Sequence, residues 1–298
     1  MISRSVIYLI KKHVFIIKPN KKSVAIEEII VDVMKNYNYV IKYTSHPKHA
    51  IEIAKSYNND YCRIYAVGGD GMVHEVVQGM VGSNNELVVL PNGTGNDFIR
   101  TIADTTNTKE LLKASLSKKA EYIDLIKVNK IYCINVTCCA FDSDIANEVH
   151  NYRKILLLPN ALQYLTVLLR RLVNYKFFPT VIKYKEKVLI DDSLVIGAFC
   201  NAKYFGGGFK IGSNASLQDG KLDISLVSGV KKRSIPKYLS LLAMGRITET
   251  KKSYYRQVDE IDFESSIDIN IDGEVYPKGK YHLEVIPNTI KVVIFNKS

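Results

Sequence analysis

No run in this 298-residue chain is both long and apolar enough to cross a bilayer, which takes about 20 residues. The longest apolar stretches, Ile155 to Leu158 and Leu162 to Leu172, are broken by Pro159 and by Arg170 and Arg171, so no transmembrane helix is predicted. Met1 to Lys12 hold one short apolar patch, Val6 to Ile10, flanked by basic residues and lacking a small-residue cleavage site. A signal peptide is therefore not expected. The cysteines Cys62, Cys133, Cys138, Cys139 and Cys200 are odd in number and show no paired two-residue spacing. These cysteines indicate neither a disulfide framework nor a zinc site, and free thiols in a reducing cytoplasm are expected. Acid is in short supply, with 30 Asp and Glu against 41 Lys and Arg, for a net charge of +11 and a pI of about 9.2. Such a balance suits nucleotide phosphates, nucleic acid or an anionic membrane surface. There is no aromatic RNP strand and no finger spacing, so nucleic acid is not an expected partner. Internal repeats and low-complexity linkers are also missing.

What is present is a chain with 47% hydrophobic residues, enough for a sizeable core. His13 to Ile17 reads as a strand. Ile26, Ile29, Ile30, Val33 and Met34 form a helical stripe within Val24 to Tyr37, and Tyr39 to Tyr43 is a second strand. A helix is expected from near Pro47 to about Tyr57. With the strand at Ile64 to Val67 and the helix after it, the order is βαβαβα, which predicts a doubly wound, mostly parallel α/β sheet with ligands at the carboxyl ends of its strands. After about Asp124 the pattern changes to strands: a hairpin over Lys127 to Val136, then Thr180 to Lys185, Ser193 to Asn201 and Lys221 to Val227. A second, β-rich domain is implied. Pro159 to Val173 reads as a helix, with core packing favoured over a membrane-facing role.

The glycines carry the chemistry. Gly68-Gly69-Asp70-Gly71 follows a buried-strand pattern and precedes Val73, Val76, Val77 and Met80 at helical spacing, so it is a strand-to-helix turn that offers backbone N–H groups to an anion. Leu87 to Leu90 leads into Pro91-Asn92-Gly93-Thr94-Gly95-Asn96-Asp97-Phe98, a second glycine-rich strand end. Two such loops could line one crevice. Phosphoryl transfer calls for a phosphate cradle, carboxylates for Mg²⁺ and a group that orients the acceptor. The cradle candidates are Gly68, Gly69, Asp70 and Gly71, continuing through Met72 and Val73 to His74, together with Gly93, Thr94 and Asn96. Asp70 and Asp97 stand at strand ends, and Asp124 ends another apolar segment. The metal-side reading of these aspartates is favoured over that of plain turn formers. Alternation over Ile267 to Ile271 predicts a strand, Asp272-Gly273 a turn, and Glu274 an exposed hairpin residue. Asp219-Gly220 reads as a plain turn.

Gly-Gly-Asp-Gly and Pro-x-Gly-Thr-x-Asn-Asp-Phe at this separation resemble the diacylglycerol kinase catalytic-domain superfamily, which includes bacterial lipid kinases and the sphingosine and ceramide kinases. The likeness runs from about Val14 to Val293 and includes Asp272-Gly273-Glu274 and the segment Asn201 to Asp223. It implies an N-terminal α/β domain of the NAD-kinase and phosphofructokinase type over 1–125, completed by 286–298, and a sandwich-like lipid-substrate domain over 126–285. The implied activity is ATP- and Mg²⁺-dependent phosphorylation of diacylglycerol or a similar lipid, by a cytoplasmic enzyme meeting an anionic membrane peripherally. A homodimer is left open. By the same resemblance Thr44 faces the nucleotide, Asp70, Asp97 and Asp124 form a water-and-magnesium network, with Asp70 acting at the reacting phosphate, and Glu274 is the base. Asp219, with the carbonyls of Ser216 and Lys221, would hold a second magnesium. The alternatives are an NAD kinase-like enzyme and a lipid-binding regulatory protein of the same fold.

The chain departs from the family pattern at Lys18-Pro19 for Asn-Pro, at Met72 for threonine, at His74 for asparagine and at Ala140-Phe141-Asp142 for Gly-Phe-Asp. Met72 and His74 put the grip on ATP in question.

Overall fold

The computed structural model describes residues 12–140, 143 and 179–296. The helix expected over Pro159 to Val173, the pair Phe141-Asp142 and the patch Val6 to Ile10 lie outside them. In chain order the elements are β1 (Lys12–Ile17), α1 (Ser23–Met34), β2 (Tyr39–Tyr43), α2 (His49–Lys55), β3 (Cys62–Gly68), α3 (Asp70–Met80), β4 (Glu86–Pro91), α4 (Asp97–Ile102), α5 (Thr108–Ser115), β5 (Ala120–Val128), β6 (Ile131–Cys133) and β7 (Val136–Cys138). They continue with β8 (Pro179–Tyr184), β9 (Lys187–Cys200), β10 (Tyr204–Phe205), β11 (Phe209–Lys210), β12 (Leu222–Ser228), α6 (Ile235–Ala243), β13 (Ser253–Val258), β14 (Glu260–Ser265), β15 (Ile269–Ile271), β16 (Glu274–Tyr276) and β17 (Gly279–Val293). The chain divides into two compact units. One comprises Met1–Asn92, Ile102–Ile123 and Thr289–Ser298, the other Gly93–Thr101 and Asp124–Asn288.

In the first unit β1 pairs in parallel with both β2 and β3, β3 with β4, and the end of β17 with β4, in the order β17-β4-β3-β1-β2. β3 and β4 are buried along their whole length, as strands covered on both faces must be, and both read as continuous apolar runs around a few polar residues. α1 buries Ile26, Ile30 and Met34, one stripe at helical spacing, while Val24 and Val31 stay exposed. Within the sheet Arg63 and Glu86 are register partners, and the Arg63 Nε and Nη2 both donate to Glu86 Oε2. Phe15 stacks on Tyr65 with ring centroids 4.1 Å apart.

The second unit is antiparallel, ordered β16-β15-β7-β9-β8-β14-β17, with β12 joining β9 to β13. β9 changes partners along its length, from β8 at Lys187–Ser193 to β12 and β7 at Leu194–Cys200, and so takes part in two layers. Phe199 and Phe263 stack at 4.9 Å within one core cluster, and Ile235 and Leu242 of α6 belong to another.

Four boundaries differ from the sequence reading. α2 starts at His49 because Lys48, at φ 67°, closes a turn containing Pro47. The first hairpin turns at Asn129, at φ 53°, and ends with Cys133, since Val136–Cys138 pairs with β9 and β15. Gly93–Thr101 falls in the second unit, held there by Asp97, which accepts from the Gly207 N–H, and Thr101, which accepts from the Lys203 N–H. The closing strand begins at Gly279, well before Ile290. It continues through Pro287, with its pairing to β14 at 279–284 and to β4 at 291–292, and it pairs with β5 as well.

Candidate functional site

The registers Ile17↔Tyr43, Ile17↔Val67 and Gly68↔Pro91 align the carboxyl ends of β1, β2, β3 and β4. Thr44, Lys18, Gly69 and Asn92 are the residues next along the chain, so one edge of the first unit gathers them. Thr44 is half-exposed and its N–H donates to Ile17 O at 3.0 Å. At the head of α3, the Met72 and Val73 amides both donate to Gly69 O, at 3.0 and 3.2 Å. Gly69, Asp70 and Gly71 stay half-exposed, whereas Met72, Val73 and His74 are buried. A Cβ on Gly68 would lie 2.5 Å from Met72 Cβ. The side chains of Met72, Val73 and His74 are packed into the unit, and the bare Cα of Gly68 makes room for Met72. The part of the turn open to a ligand is Gly69 to Gly71.

Asn92 is a residue that the sequence named only as motif filler. Its N–H donates to Gly68 O at 2.8 Å, and its carbonyl accepts from Asn20 Nδ2 at 3.4 Å. Its carboxamide is about nine-tenths buried, with neither Oδ1 nor Nδ2 hydrogen-bonded. A buried amide left with neither group satisfied is costly and points to a polar partner that completes it.

In the second unit, Asn96 at φ 52° folds its carboxamide back onto Gly93, accepting from the Gly93 N–H at 3.1 Å and donating to Gly93 O at 2.9 Å. Its side chain shapes the loop, while Thr94 is exposed. Asp97, the first residue of α4, is buried, and its two oxygens share the Gly207 N–H at 2.9 and 3.0 Å. Gly206, Gly207 and Gly208 all have positive φ, a backbone that glycine adopts at least cost.

Asp124 lies inside β5 rather than at the end of an apolar segment. A buried carboxylate is tolerated there because Oδ2 accepts from the Gly220 N–H at 2.8 Å and Oδ1 from the Asn288 N–H at 2.9 Å. Its own N–H donates to Leu217 O at 2.7 Å. The turn bearing Ser216, Asp219 and Lys221 is thus stitched to Asp124. Asp219 itself is exposed and accepts from the Lys221 N–H at 3.1 Å and from Gln257 Nε2 at 3.3 Å. Nearby Asp223 is pushed above the usual carboxylate range by burial, although Tyr255 and Gln257 donate to it.

Glu274 opens β16, half-buried, after the turn Asp272-Gly273 with φ of 52° and 95°. Asp272 is no ordinary turn residue. It is buried, and its carboxylate accepts from the amides of Ile134 at 3.0 Å, Asn135 at 2.8 Å and Val136 at 3.2 Å. Asn201 then donates to the carbonyls of Asp124 and Ile134, at 3.0 and 2.8 Å. A continuous polar chain therefore runs from Asp124 to the hairpin that carries Glu274. Tyr276 on that hairpin is pushed up to about 12 by burial, then by the charges of Asp272 and Glu274.

Comparison with known proteins accords with this geometry. Residues 16–128 match the diacylglycerol kinase catalytic domain, and residues 136–294 match the YegS C-terminal NAD kinase beta sandwich-like domain. A Shewanella frigidimarina protein named "Probable lipid kinase YegS-like" is 32% identical over 240 residues, covering 78% of this chain and 76% of its own. A Staphylococcus aureus protein named "Putative lipid kinase" is 25% identical over 275 residues, 91% of this chain and 88% of its own. A crystal structure described as a putative diacylglycerol kinase from Bacillus anthracis superposes with a TM-score of 0.79 at 21% identity, covering 99% of this chain and 98% of that one.

Proposed function

This chain belongs to the diacylglycerol kinase superfamily, among lipid kinases with a YegS-type second domain, and from that premise we propose that it transfers the γ-phosphoryl group of ATP to the hydroxyl of diacylglycerol or a similar lipid. The observation that carries the nucleotide part is the buried, unsatisfied Asn92 carboxamide beside Gly68. Gly69 to Gly71 and Thr44, on the same edge of the first unit, supply the backbone and hydroxyl groups that an anionic ligand needs. The second unit supplies two carboxylates, Asp97 and Asp124, each oriented by backbone N–H groups. Such donors fit Mg²⁺, which accepts one or two carboxylates and keeps several waters. They would hold the ion, which when bound neutralises charge developing on the phosphates. Glu274 accepts the proton of the attacking lipid hydroxyl. Asp272 fixes the hairpin that aims it. Asp219 with Ser216 and Lys221 is a second, structural ion position on the same reading.

A membrane-facing role is supported by residues 229–256, which hold eight Lys or Arg and one acidic residue. Lys231, Lys232, Arg233 and Lys237 are exposed around α6, and Met244 beyond it is 57% exposed. Cations around a protruding apolar side chain suit the headgroup region of anionic lipid.

The test is phosphate transfer from labelled ATP with Mg²⁺ to diacylglycerol in mixed micelles. Wild type labels the lipid, and Glu274→Gln loses on the order of a hundred- to ten-thousandfold in kcat. Absence of transfer to any lipid sinks the reading, transfer to NAD selects the NAD kinase alternative, and an undiminished Glu274→Gln removes the base assignment alone.

A further inference from the structure

One trio of metal-capable side chains converges among the described residues, on the turn from β2 into α2 in the first unit. Ligand atoms of His46, His49 and Glu52 all lie within 4.8 Å of one another. The imidazoles stack with centroids 4.4 Å apart and planes 15° from parallel. His46 Nδ1 lies 3.0 Å from Pro47 O, to which it donates as the N–H tautomer, leaving Nε2 as the lone-pair nitrogen. His49 Nδ1 sits 3.1 Å from both the N–H and the hydroxyl of Ser45. Since the Ser45 N–H donates to it, His49 Nδ1 is held as the lone-pair nitrogen, available to a cation once that bond opens. The turn is held from outside: Glu75 of α3 accepts from the Lys48 and Ala50 amides, at 3.0 and 3.2 Å.

We propose that His46, His49 and Glu52 bind a divalent transition metal of the zinc class, with the remaining coordination position open to water or an anionic oxygen. Two imidazole nitrogens and one carboxylate oxygen are the donor set of open zinc sites. Hard Mg²⁺ and Ca²⁺ prefer all-oxygen surroundings and are poor occupants. At metal–ligand distances of about 2.0 Å a tetrahedral edge is about 3.3 Å. The three side chains therefore close by up to about 1.5 Å, and because the imidazoles are nearly parallel one ring must also turn for both lone pairs to meet at the ion, through rotamer changes of the exposed His46 and Glu52. The site stands or falls independently of the kinase reading, since it uses none of its residues.

The test uses the full chain without a histidine tag, stripped with chelator and titrated with Co²⁺ by visible absorption and with Zn²⁺ by calorimetry. One equivalent is expected, with His46→Ala and His49→Ala each weakening binding at least about tenfold and His282→Ala, in the second unit, leaving it unchanged. His46 is exposed, so His46→Ala reads ligation apart from folding, and an unaltered thermal midpoint of the metal-free variant verifies that. Wild type that binds no saturable equivalent overturns the proposal. So does undiminished affinity in the His46→Ala/His49→Ala double variant, or Mg²⁺ displacing Zn²⁺ at equal concentration.

Discussion

His13 shows what one buried side chain does to a whole domain. It is 7% exposed, its Nδ1 is 2.9 Å from the Tyr65 hydroxyl, and burial followed by the Arg63 charge lowers it from 6.5 to about 4. Between those pH values the unfolded chain binds a proton that the folded chain refuses. Stability is therefore full above pH 6.5 and is lost as pH falls toward 4, at a cost of about 3 kcal/mol. His13→Asn should flatten that part of the curve in urea unfolding at pH 7 and pH 4.5, and an equal loss in both proteins would count against it. Asn92 makes the opposite bargain, tolerating unsatisfied amide groups for a ligand. Asn92→Leu should leave stability unchanged or raise it by about 1 kcal/mol while the KM for ATP rises about tenfold. A destabilised variant with unaltered KM would make Asn92 a structural residue instead. Neither residue could be singled out from its letter: a histidine at a strand start and an asparagine between proline and glycine are both common, and only burial separates them.

At the scale of elements, the hairpin of β15 and β16 joins stability to chemistry. Its turn was legible because Asp-Gly tolerates positive φ at both central positions. What sequence could not show is that Asp272 reaches across to three amides at 134–136, a contact between residues far apart in the chain. Asp272→Ala leaves those buried donors unpaired and should cost about 3–5 kcal/mol, with kcat falling as Glu274 loses its support. Asp272→Asn, which keeps one acceptor and the turn, should fall between. Equal kcat in folded Asp272→Ala and wild type would uncouple the clamp from Glu274. The parallel elements were legible, β2 to the residue and α1 by its stripe, because apolar runs and helical periodicity are local signals. β9 and β17 were not read at full length, since both change partners midway and no local pattern encodes a change of partner. The burial of Met72 and His74 was hidden for a related reason: a loop motif tells which residues follow a turn and not which way they point.

For the whole molecule, the +11 charge is unevenly spread, and residues 229–256 hold a large share of it. Replacing Lys231, Lys232 and Arg233 by glutamine should weaken sedimentation with vesicles containing anionic phosphatidylglycerol by at least about tenfold at low salt. Activity on neutral detergent micelles should stay near wild type. The same loss after changing Lys21, Lys22 and Lys35 would show that net charge acts without a particular face. The two-domain plan was readable in the chain; the assignment of Gly93–Thr101 to the second unit was not, because the contacts of Asp97 and Thr101 lie more than a hundred residues away. Asp124 has one more consequence. The main stretch of the second unit starts at Asp124 and ends at Asn288, and these two, 164 positions apart, share a hydrogen bond. An excursion whose entrance and exit meet can be spliced into a host chain without stretching it. The clasp on that loop is the same carboxylate proposed to hold magnesium, so on that proposal loading the ion and keeping the loop shut would draw on one side chain.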